Sequence, residues 1–292
     1  MGKPKRHHFV PQFVIRNFAR SDGRVWYLER TRADRRAELR SPSGVFWQRH
    51  LYSYRDGENL RDPAVERAYG QAESEWAPLI DRAVRDLRVG RAPLFAGPER
   101  RSLEGFFYHQ FMRVPHQLNR VKCKEVERLD DALLDGPVPE ESVEGVRLKL
   151  LDVLDNALID SLVNGSDNIA EVFARKDLFF AVLANSKKSF VLGDVPIGRF
   201  HQRVASVPDS RLPLWDASVE MSMPIAPDIA IGFCGDGGGY KVFGVKDDSD
   251  VRAVNVATMR RSDAVCSRSD ILISSLSSIW PGKADGGHDD QQ

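Results

Sequence analysis

The sequence predicts an α+β fold in a single domain, with a helical middle packed against a mixed, β-rich C-terminal part. Long amphipathic helical patterns fill residues 62–175, and short apolar runs of strand length follow over about 177–270. Because no long polar linker divides the two regions, we expect them to share one core. We assign residues 1–280 to this domain and expect residues 281–292 to form a disordered tail.

The N-terminal part is predicted to hold a short helix and two extended segments. Pro11 suits the first turn of a helix that runs to Ala19, because the N–H that proline lacks is not needed there. The alternation of apolar and polar residues over 24–30 predicts a strand, and residues 45–54 form a second extended segment.

The middle of the chain is predicted to form long helices. Asp62 is a capping residue and Pro63 fits the first helical position, so a helix begins there. Pro78 and Pro115 are expected to kink or restart the helices that contain them. The predicted helices run over about 62–87, 98–134, 141–163 and 169–175.

The β-rich part contains apolar runs that are bounded by glycine and proline. Gly235 to Gly239 has no helix start after it, so we interpret it as a hairpin turn between two strands. On the last helix Asn255 lies among apolar residues, and we expect its amide to cap a neighbouring loop. The predicted strands cover 178–183, 189–192, 219–223, 229–234 and 240–245, and the last helix covers 249–261.

The composition excludes several classes of protein. A chain with 42% hydrophobic and 29% charged residues is not a disordered polar chain. The 42 basic residues balance 42 acidic ones, which argues against an overall basic field for nucleic acid but leaves a local patch open. No apolar run reaches the roughly 18 residues of a membrane helix, so we expect no membrane partner. Three widely spaced cysteines and the lack of an apolar secretory signal lead us to expect a cytoplasmic location.

The segment from Lys5 to Phe13 (KRHHFVPQF) places two adjacent histidines between a basic cluster and a predicted helix. In this segment the chain resembles the uncharacterised family DUF4238, which opens with His-His, an aromatic residue, Val-Pro and an aromatic-rich helix. The resemblance extends over about residues 5–270 and implies no established activity. Weaker matches are Leu51-Tyr52-Ser53, Gln110 with Arg113 and Pro115, and the turn after Phe190, where Asp194 and Pro196 are shared but the flanking Gly193 and Val195 depart from the family pattern.

His7 and His8 are the first candidate catalytic residues, because histidine is a base, an acid or a metal ligand near neutral pH. Adjacent residues of an extended chain point in opposite directions, so one ring is expected to face a pocket. The alternative is that both rings only anchor the N-terminus through hydrogen bonds to the backbone. Gln12 follows on the predicted helix and is assigned to substrate binding.

A second candidate group lies on the first long helix. Glu66, Tyr69, Glu73 and Trp76 share one face, with the two carboxylates about 10 Å apart. Aromatic neighbours should withdraw at least one carboxylate from water, which raises its pKa and suits a general acid. We assign Glu73 a catalytic role, and the alternative is a solvated boundary where glutamate pairs with arginine.

Gln110 and Arg113 form a polar row in an aromatic helix, where buried polar groups must find partners. Arg113 could clamp a phosphate or carboxylate, so both residues are assigned to substrate binding. The alternative is a buried ion pair between Arg113 and Glu66 or Glu73. Asp194 follows an apolar run and is assigned a catalytic role at its end, the alternative being a turn cap.

Together these residues predict one polar pocket of a hydrolase-type enzyme, of phosphodiesterase or nuclease type, which acts on a phosphate-containing small molecule or a nucleic acid. The cofactor stays open, with a divalent metal as the candidate. The alternative is a non-catalytic protein that binds a ligand or partner, in which the polar set is a structural network. An enzyme pocket should be open to solvent with one histidine nitrogen free, whereas a structural network should be saturated and sealed. No nucleotide-binding loop, nucleophile elbow or zinc-protease motif occurs in the sequence.

Overall fold

The computed structural model describes residues 6–32, 34–55, 61–62, 64–95, 97–135, 140–163, 167–201 and 213–280. Over these ranges the chain combines α-helices with antiparallel and mixed sheets, which confirms the predicted α+β class. The predicted tail, residues 281–292, lies outside the described residues.

The N-terminal part alternates short strands with one short helix, and β1 pairs with β4 while β5 pairs with β6. The helix that was predicted from Pro11 begins at the next residue, with Pro11 in the capping position. The elements are β1 (Arg6–His8), α1 (Gln12–Asn17), β2 (Val25–Glu29), β3 (Glu38–Arg40), β4 (Trp47–Arg49), β5 (Tyr54–Arg55) and β6 (Arg61–Asp62).

The helical middle extends from Ala64 to Arg175. At Pro115 the chain restarts as predicted, because proline cannot donate the hydrogen bond that would continue the preceding helix. Pro78, by contrast, lies inside an uninterrupted helix. The helices are α2 (Ala64–Arg88), α3 (Pro98–Met112), α4 (Pro115–Asp135), α5 (Glu140–Val163) and α6 (Asp167–Arg175).

The C-terminal part supplies a five-stranded sheet in the order β12–β7–β11–β10–β9, in which all neighbours are antiparallel except β12 and β7. Strand β13 lies between β2 and β8 in a second, antiparallel sheet of order β3–β2–β13–β8, which joins the two ends of the chain. The elements are β7 (Asp177–Leu183), β8 (Leu192–Gly193), β9 (Gly198–His201), β10 (Val219–Ala226), β11 (Ile229–Cys234), β12 (Tyr240–Val245), α7 (Asp248–Arg261), β13 (Ala264–Ser267) and α8 (Asp270–Leu276).

The five-stranded sheet separates two apolar layers. Along β7, Leu178 and Phe180 belong to the main core with α1, α2 and α3, whereas Phe179 and Ala181 face the other side, where Val251 of α7 packs. This alternation follows from the period of two residues in a strand. The helical layer and α7 therefore cover opposite faces of one sheet.

The prediction of a hairpin at Gly235–Gly239 is wrong. Strand β12 does not pair with β11 but lies parallel to β7 on the other side of that strand. The carboxylate of Asp177, at the start of β7, accepts a hydrogen bond from the backbone N–H of Gly239 (2.6 Å) and contacts Lys241 Nζ at 2.5 Å. These contacts attach the loop to β7 and direct the chain past it to the edge of the sheet.

Candidate functional site

The candidate residues of three separate segments meet where β1 crosses α2 and α3. Strand β1 brings His7 and His8 opposite Gln48 and Trp47 of β4. Phe46 and His50, at the two ends of β4, have positive φ angles of 53° and 59°, which are strained for residues with a side chain. The strand pair thus holds the N-terminal segment in one fixed position against the helical layer.

Arg113 is the centre of this arrangement, and its side chain is only 1% exposed. Its Nε donates to the carbonyl oxygen of Phe9 (3.0 Å), its Nη1 to Glu73 Oε1 (2.8 Å) and its Nη2 to Gln110 Oε1 (3.2 Å). Gln110 in turn donates to the same Phe9 carbonyl through Nε2 at 2.8 Å. Every nitrogen of the guanidinium therefore has a protein acceptor, and we call these residues together with His7 the Arg113 cluster.

Aromatic rings close the cluster on its other sides. The guanidinium carbon of Arg113 lies 5.0 Å from the ring centre of Tyr69, a cation–π arrangement. Tyr52, which is fully buried, donates its hydroxyl to the backbone oxygen of Arg113 at 2.5 Å. The sequence reasoning did not assign Tyr52 or Tyr69 a part here, although Tyr52 belongs to the Leu51-Tyr52-Ser53 motif.

His7 is buried, and its ring accepts a hydrogen bond from the protein backbone. Its Nδ1 accepts a hydrogen bond from the backbone N–H of Tyr52 at 3.0 Å. The same Nδ1 lies 4.0 Å from Glu66 Oε2. A ring nitrogen that accepts an N–H carries no proton, so the tautomer is protonated at Nε2. His7 thus fits the anchoring alternative, in which the ring ties the N-terminus to the chain around Tyr52.

His8 points the other way and is half-buried, as expected for the neighbour of His7 in a strand. Burial is the main cause that lowers the pKa of this imidazole. Its Nδ1 lies 3.5 Å from Nε2 of Gln12. Its buried Nε2 makes no hydrogen bond of good geometry to the described residues, although the backbone of Ser43 lies close enough to oppose the lowering of the pKa. The structure thus places Gln12 beside His8 and leaves one histidine nitrogen unsatisfied.

The two carboxylates on α2 differ in their partners. Glu73 pairs with Arg113, with its side chain 26% exposed. The carboxyl of Glu66 is 22% exposed, and burial, helped by repulsion from Glu73, raises its pKa to about 7. The predicted desolvation on this face is therefore present at Glu66, whereas Glu73 is the carboxylate that pairs with Arg113.

Asp194 lies apart from the cluster at the end of β8. Its Oδ1 accepts the backbone N–H of Asp263 at 3.1 Å, and burial followed by repulsion from the Asp263 carboxylate raises its pKa to about 7. In the part of the chain that the structure describes, no hydrogen bond or ion pair links Asp194 to His7, Glu73 or Arg113. The structure thus brings together the other assigned residues and leaves Asp194 beside a separate cavity that Pro115 and His116 help to line.

The described residues contain no group of three or more His, Cys, Asp or Glu side chains arranged to hold a metal ion. Among the same residues, no helix combines the length and the apolar character that crossing a membrane requires. A cavity of about 410 Å³ occurs elsewhere, on the face of the five-stranded sheet that is turned away from the Arg113 cluster. It is lined by Phe179, Ala181, Phe190, Phe200, Glu220, Ser222, Ala230, Phe243, Gly244, Val245, Lys246, Asp247, Asp250, Ala253 and Val254.

Comparison with known proteins agrees with the resemblance seen in the sequence. The model of a family described as protein of unknown function (DUF4238) matches residues 6–270, a range that includes the Arg113 cluster and the five-stranded sheet. No curated protein and no solved structure matches the chain. With most of its length matched, the chain belongs to the DUF4238 family.

Proposed function

We propose that this chain is a non-catalytic protein that binds a small molecule, and that the Arg113 cluster is a structural network. The cavity on the far face of the five-stranded sheet would hold the ligand, since about 410 Å³ is within the usual size of small-molecule sites. The cluster would instead fix β1 against α2 and α3.

One observation carries this proposal: the buried guanidinium of Arg113, each nitrogen of which donates to a protein acceptor. A phosphate clamp must present donors to its ligand, but the Arg113 side chain is buried and three of its five N–H groups, one on each nitrogen, already donate to Phe9, Glu73 and Gln110. Binding a phosphate there would break these bonds and leave the Glu73 carboxylate without its cation. Such a loss inside a protein costs several kcal/mol.

The test compares Arg113→Lys with Arg82→Lys by urea unfolding. A lysine keeps the positive charge but cannot make the three separate bonds of Arg113, so we expect a loss of about 2–4 kcal/mol in the free energy of unfolding. Arg82 forms a similar two-bond pair with Glu99, but the two side chains are 34% and 40% exposed, and its substitution should cost less than about 1 kcal/mol. Equal small losses in both variants, with loss of phosphate binding only in Arg113→Lys, would overturn the proposal.

A hydrolase that acts on a phosphate-containing small molecule or a nucleic acid is the second candidate. It is favoured by the unsatisfied Nε2 of His8 and by the raised pKa of Glu66, which together could supply a base and an acid near neutral pH. Wild-type protein and His8→Ala should be assayed with bis(p-nitrophenyl) phosphate and single-stranded DNA, with Mg²⁺, Mn²⁺ or Zn²⁺ added. We expect no turnover; hydrolysis that His8→Ala abolishes would establish the enzyme instead.

A cytoplasmic location belongs to the same proposal. Cys123, Cys234 and Cys266 are all unpaired, and Cys234 and Cys266 are buried. Unpaired cysteines are typical of proteins that work in a reducing compartment.

A further inference from the structure

The sheet cavity, as we call the cavity of about 410 Å³ described above, exists because small residues line the outer face of the five-stranded sheet. Ser222 of β10 pairs with Gly232 of β11, which in turn pairs with Phe179 of β7. A Cβ atom on Gly232 would lie 2.3 Å from the Phe179 ring, so the ring covers that glycine. At Ala181, Ser222 and Ala230 the side chains are small, and they leave open the space that the cavity occupies.

Aromatic rings form the walls of the sheet cavity. Phe200 lies directly over Gly198 of its own strand, since a Cβ atom there would stand 2.6 Å from the ring. Phe243 is 43% exposed, and its ring centre is 5.3 Å from that of Phe179. Together with Phe190 these rings line the space, and aromatic rings attract cations as well as apolar groups.

A carboxylate lies among these rings. Glu220 on β10 is paired across the sheet with Phe200 and lines the sheet cavity. Burial raises its pKa, yet among the described residues its side chain forms no hydrogen bond or ion pair. A charged group in such surroundings is costly unless a partner of opposite charge reaches it.

The rim of the sheet cavity is mostly acidic. Asp247 and Asp250 line it together with one basic residue, Lys246, and all three are exposed. The N-terminus of α7 is also nearby, but Asp247 already accepts the backbone N–H of Ser249 at 2.8 Å, and Asp248 and Asp250 follow in the first turn. The positive end of this helix is therefore already neutralised, and the rim favours a cationic ligand.

We propose that the sheet cavity binds a hydrophobic amine, whose ammonium group pairs with Glu220 while its apolar body lies between the phenylalanine rings. The inference rests on the proposed small-molecule-binding function and names the ligand class. Phe179, Phe200 and Phe243 provide the apolar contact. The guanidinium carbon of Arg261 already lies 5.9 Å from the ring centre of Phe200, so the cation–π attraction for the ligand comes from Phe179 and Phe243, and Ser222 is the neighbouring hydroxyl on the same face of β10.

The test uses two probes of the same shape and different charge, naphthylmethylamine and naphthylmethanol, titrated calorimetrically into the full chain. We expect the amine to bind about tenfold more tightly than the alcohol, because one charge-assisted hydrogen bond typically strengthens binding by about that factor. In Glu220→Gln the amine should fall to the affinity of the alcohol, which should itself be unchanged. Glu171→Gln, at an exposed position of α6, is the matched control and should bind both probes as the wild type does.

A third variant, Ala253→Trp, locates the site. Ala253 is a half-buried residue of α7 that lines the sheet cavity, so a tryptophan there should fill the space and abolish binding of both probes. If neither probe binds the wild type, the proposed binding function fails. If both bind equally and Glu220→Gln changes neither affinity, the ligand class is wrong while the binding function stands. Unchanged binding to Ala253→Trp would place the ligand outside the sheet cavity and overturn the inference.

Discussion

At the scale of single residues, Glu66 should make stability depend on pH. Its folded pKa of about 7 lies above the ordinary value of 4.5, so the folded chain keeps a proton that the unfolded chain releases. Stability then falls as pH rises from about 4.5 to 7, and the full cost is present above that window. Glu66→Gln removes this cost. When the pH is raised from 4 to 8, we expect the free energy of unfolding of Glu66→Gln to increase by about 2 kcal/mol relative to that of the wild type, as measured by urea unfolding. This is less than the full shift would give, because the side chain is 22% exposed.

Glu171→Gln is a suitable control for that comparison. Glu171 is exposed on α6, and a substitution there should change stability by less than about 0.5 kcal/mol at either pH. A constant difference between Glu66→Gln and the wild type over the whole pH range would show that the Glu66 carboxyl does not retain its proton in the folded chain.

Helical spacing alone was enough to predict which residues share a face. Glu66, Tyr69 and Glu73 project from one side of α2, and Gln110 of α3 lies on the same side as Arg113, the residue that caps the C-terminus of that helix. The choice of Glu73 over Glu66 as the partner of Arg113 depends on how the two helices pack, which local patterns do not contain. The Phe9 carbonyl could not be predicted as an acceptor, because a backbone oxygen leaves no signature in the sequence.

At the scale of elements, the glycine loop before β12 should not tolerate a side chain at Gly239, which faces the carboxylate of Asp177. A Cβ atom on Gly239 would stand 2.9 Å from Asp177 Oδ1, the atom that accepts the Gly239 N–H. Gly239→Ala must therefore displace the carboxylate that fixes the loop, and we expect it to lower the free energy of unfolding by about 1–3 kcal/mol. Chemical denaturation of the variant measures this loss.

Gly70→Ala is the matched control within the same chain. Gly70 lies in α2, and a Cβ atom added there would meet no other atom within 4 Å, so alanine should stabilise the helix by about 0.5–1 kcal/mol. If Gly239→Ala proves as stable as Gly70→Ala, the contact between the loop and Asp177 does not restrict that position.

The same loop explains why the hairpin prediction failed. Two strand-like runs separated by glycines are typical of a hairpin, and the local pattern of 229–245 fits one. In the observed fold β12 pairs along its whole length with β7, and Asp177 at the start of β7, more than fifty residues earlier in the chain, accepts the loop N–H; contacts this distant leave no local pattern. Asn255 shows the opposite case. Its expected capping role is confirmed by hydrogen bonds to the backbone of Val191 and Ser189.

At the scale of the whole molecule, the two ends of the chain are joined by a sheet that the sequence did not predict. Strand β13 is only Ala264–Ser267, too short a run to distinguish from loop, and its neighbours β2 and β8 come from distant segments. A separate apolar cluster lies over this sheet and joins Leu28 near the N-terminus to Val265, Leu276 and Trp280 near the C-terminus. The packing of the C-terminal residues should therefore contribute to the stability of the N-terminal strand.

Trp280 is where this dependence can be measured. Its side chain is buried and its Nε1 donates to the carbonyl oxygens of Met259 (2.5 Å) and Ser262 (3.0 Å), whereas Trp215 is 73% exposed. We expect Trp280→Ala to lower the free energy of unfolding by about 3–5 kcal/mol and Trp215→Ala to change it by less than about 0.5 kcal/mol. Trp280→Phe keeps most of the apolar contact but loses both hydrogen bonds, so its free energy of unfolding should fall by about 1–3 kcal/mol.

Hydrogen exchange in β2 measures whether the two ends of the chain depend on each other. Because β2 packs in the same cluster, its amides should exchange faster in Trp280→Ala than in the wild type. Unchanged exchange there would show that the two ends of the chain are stabilised independently.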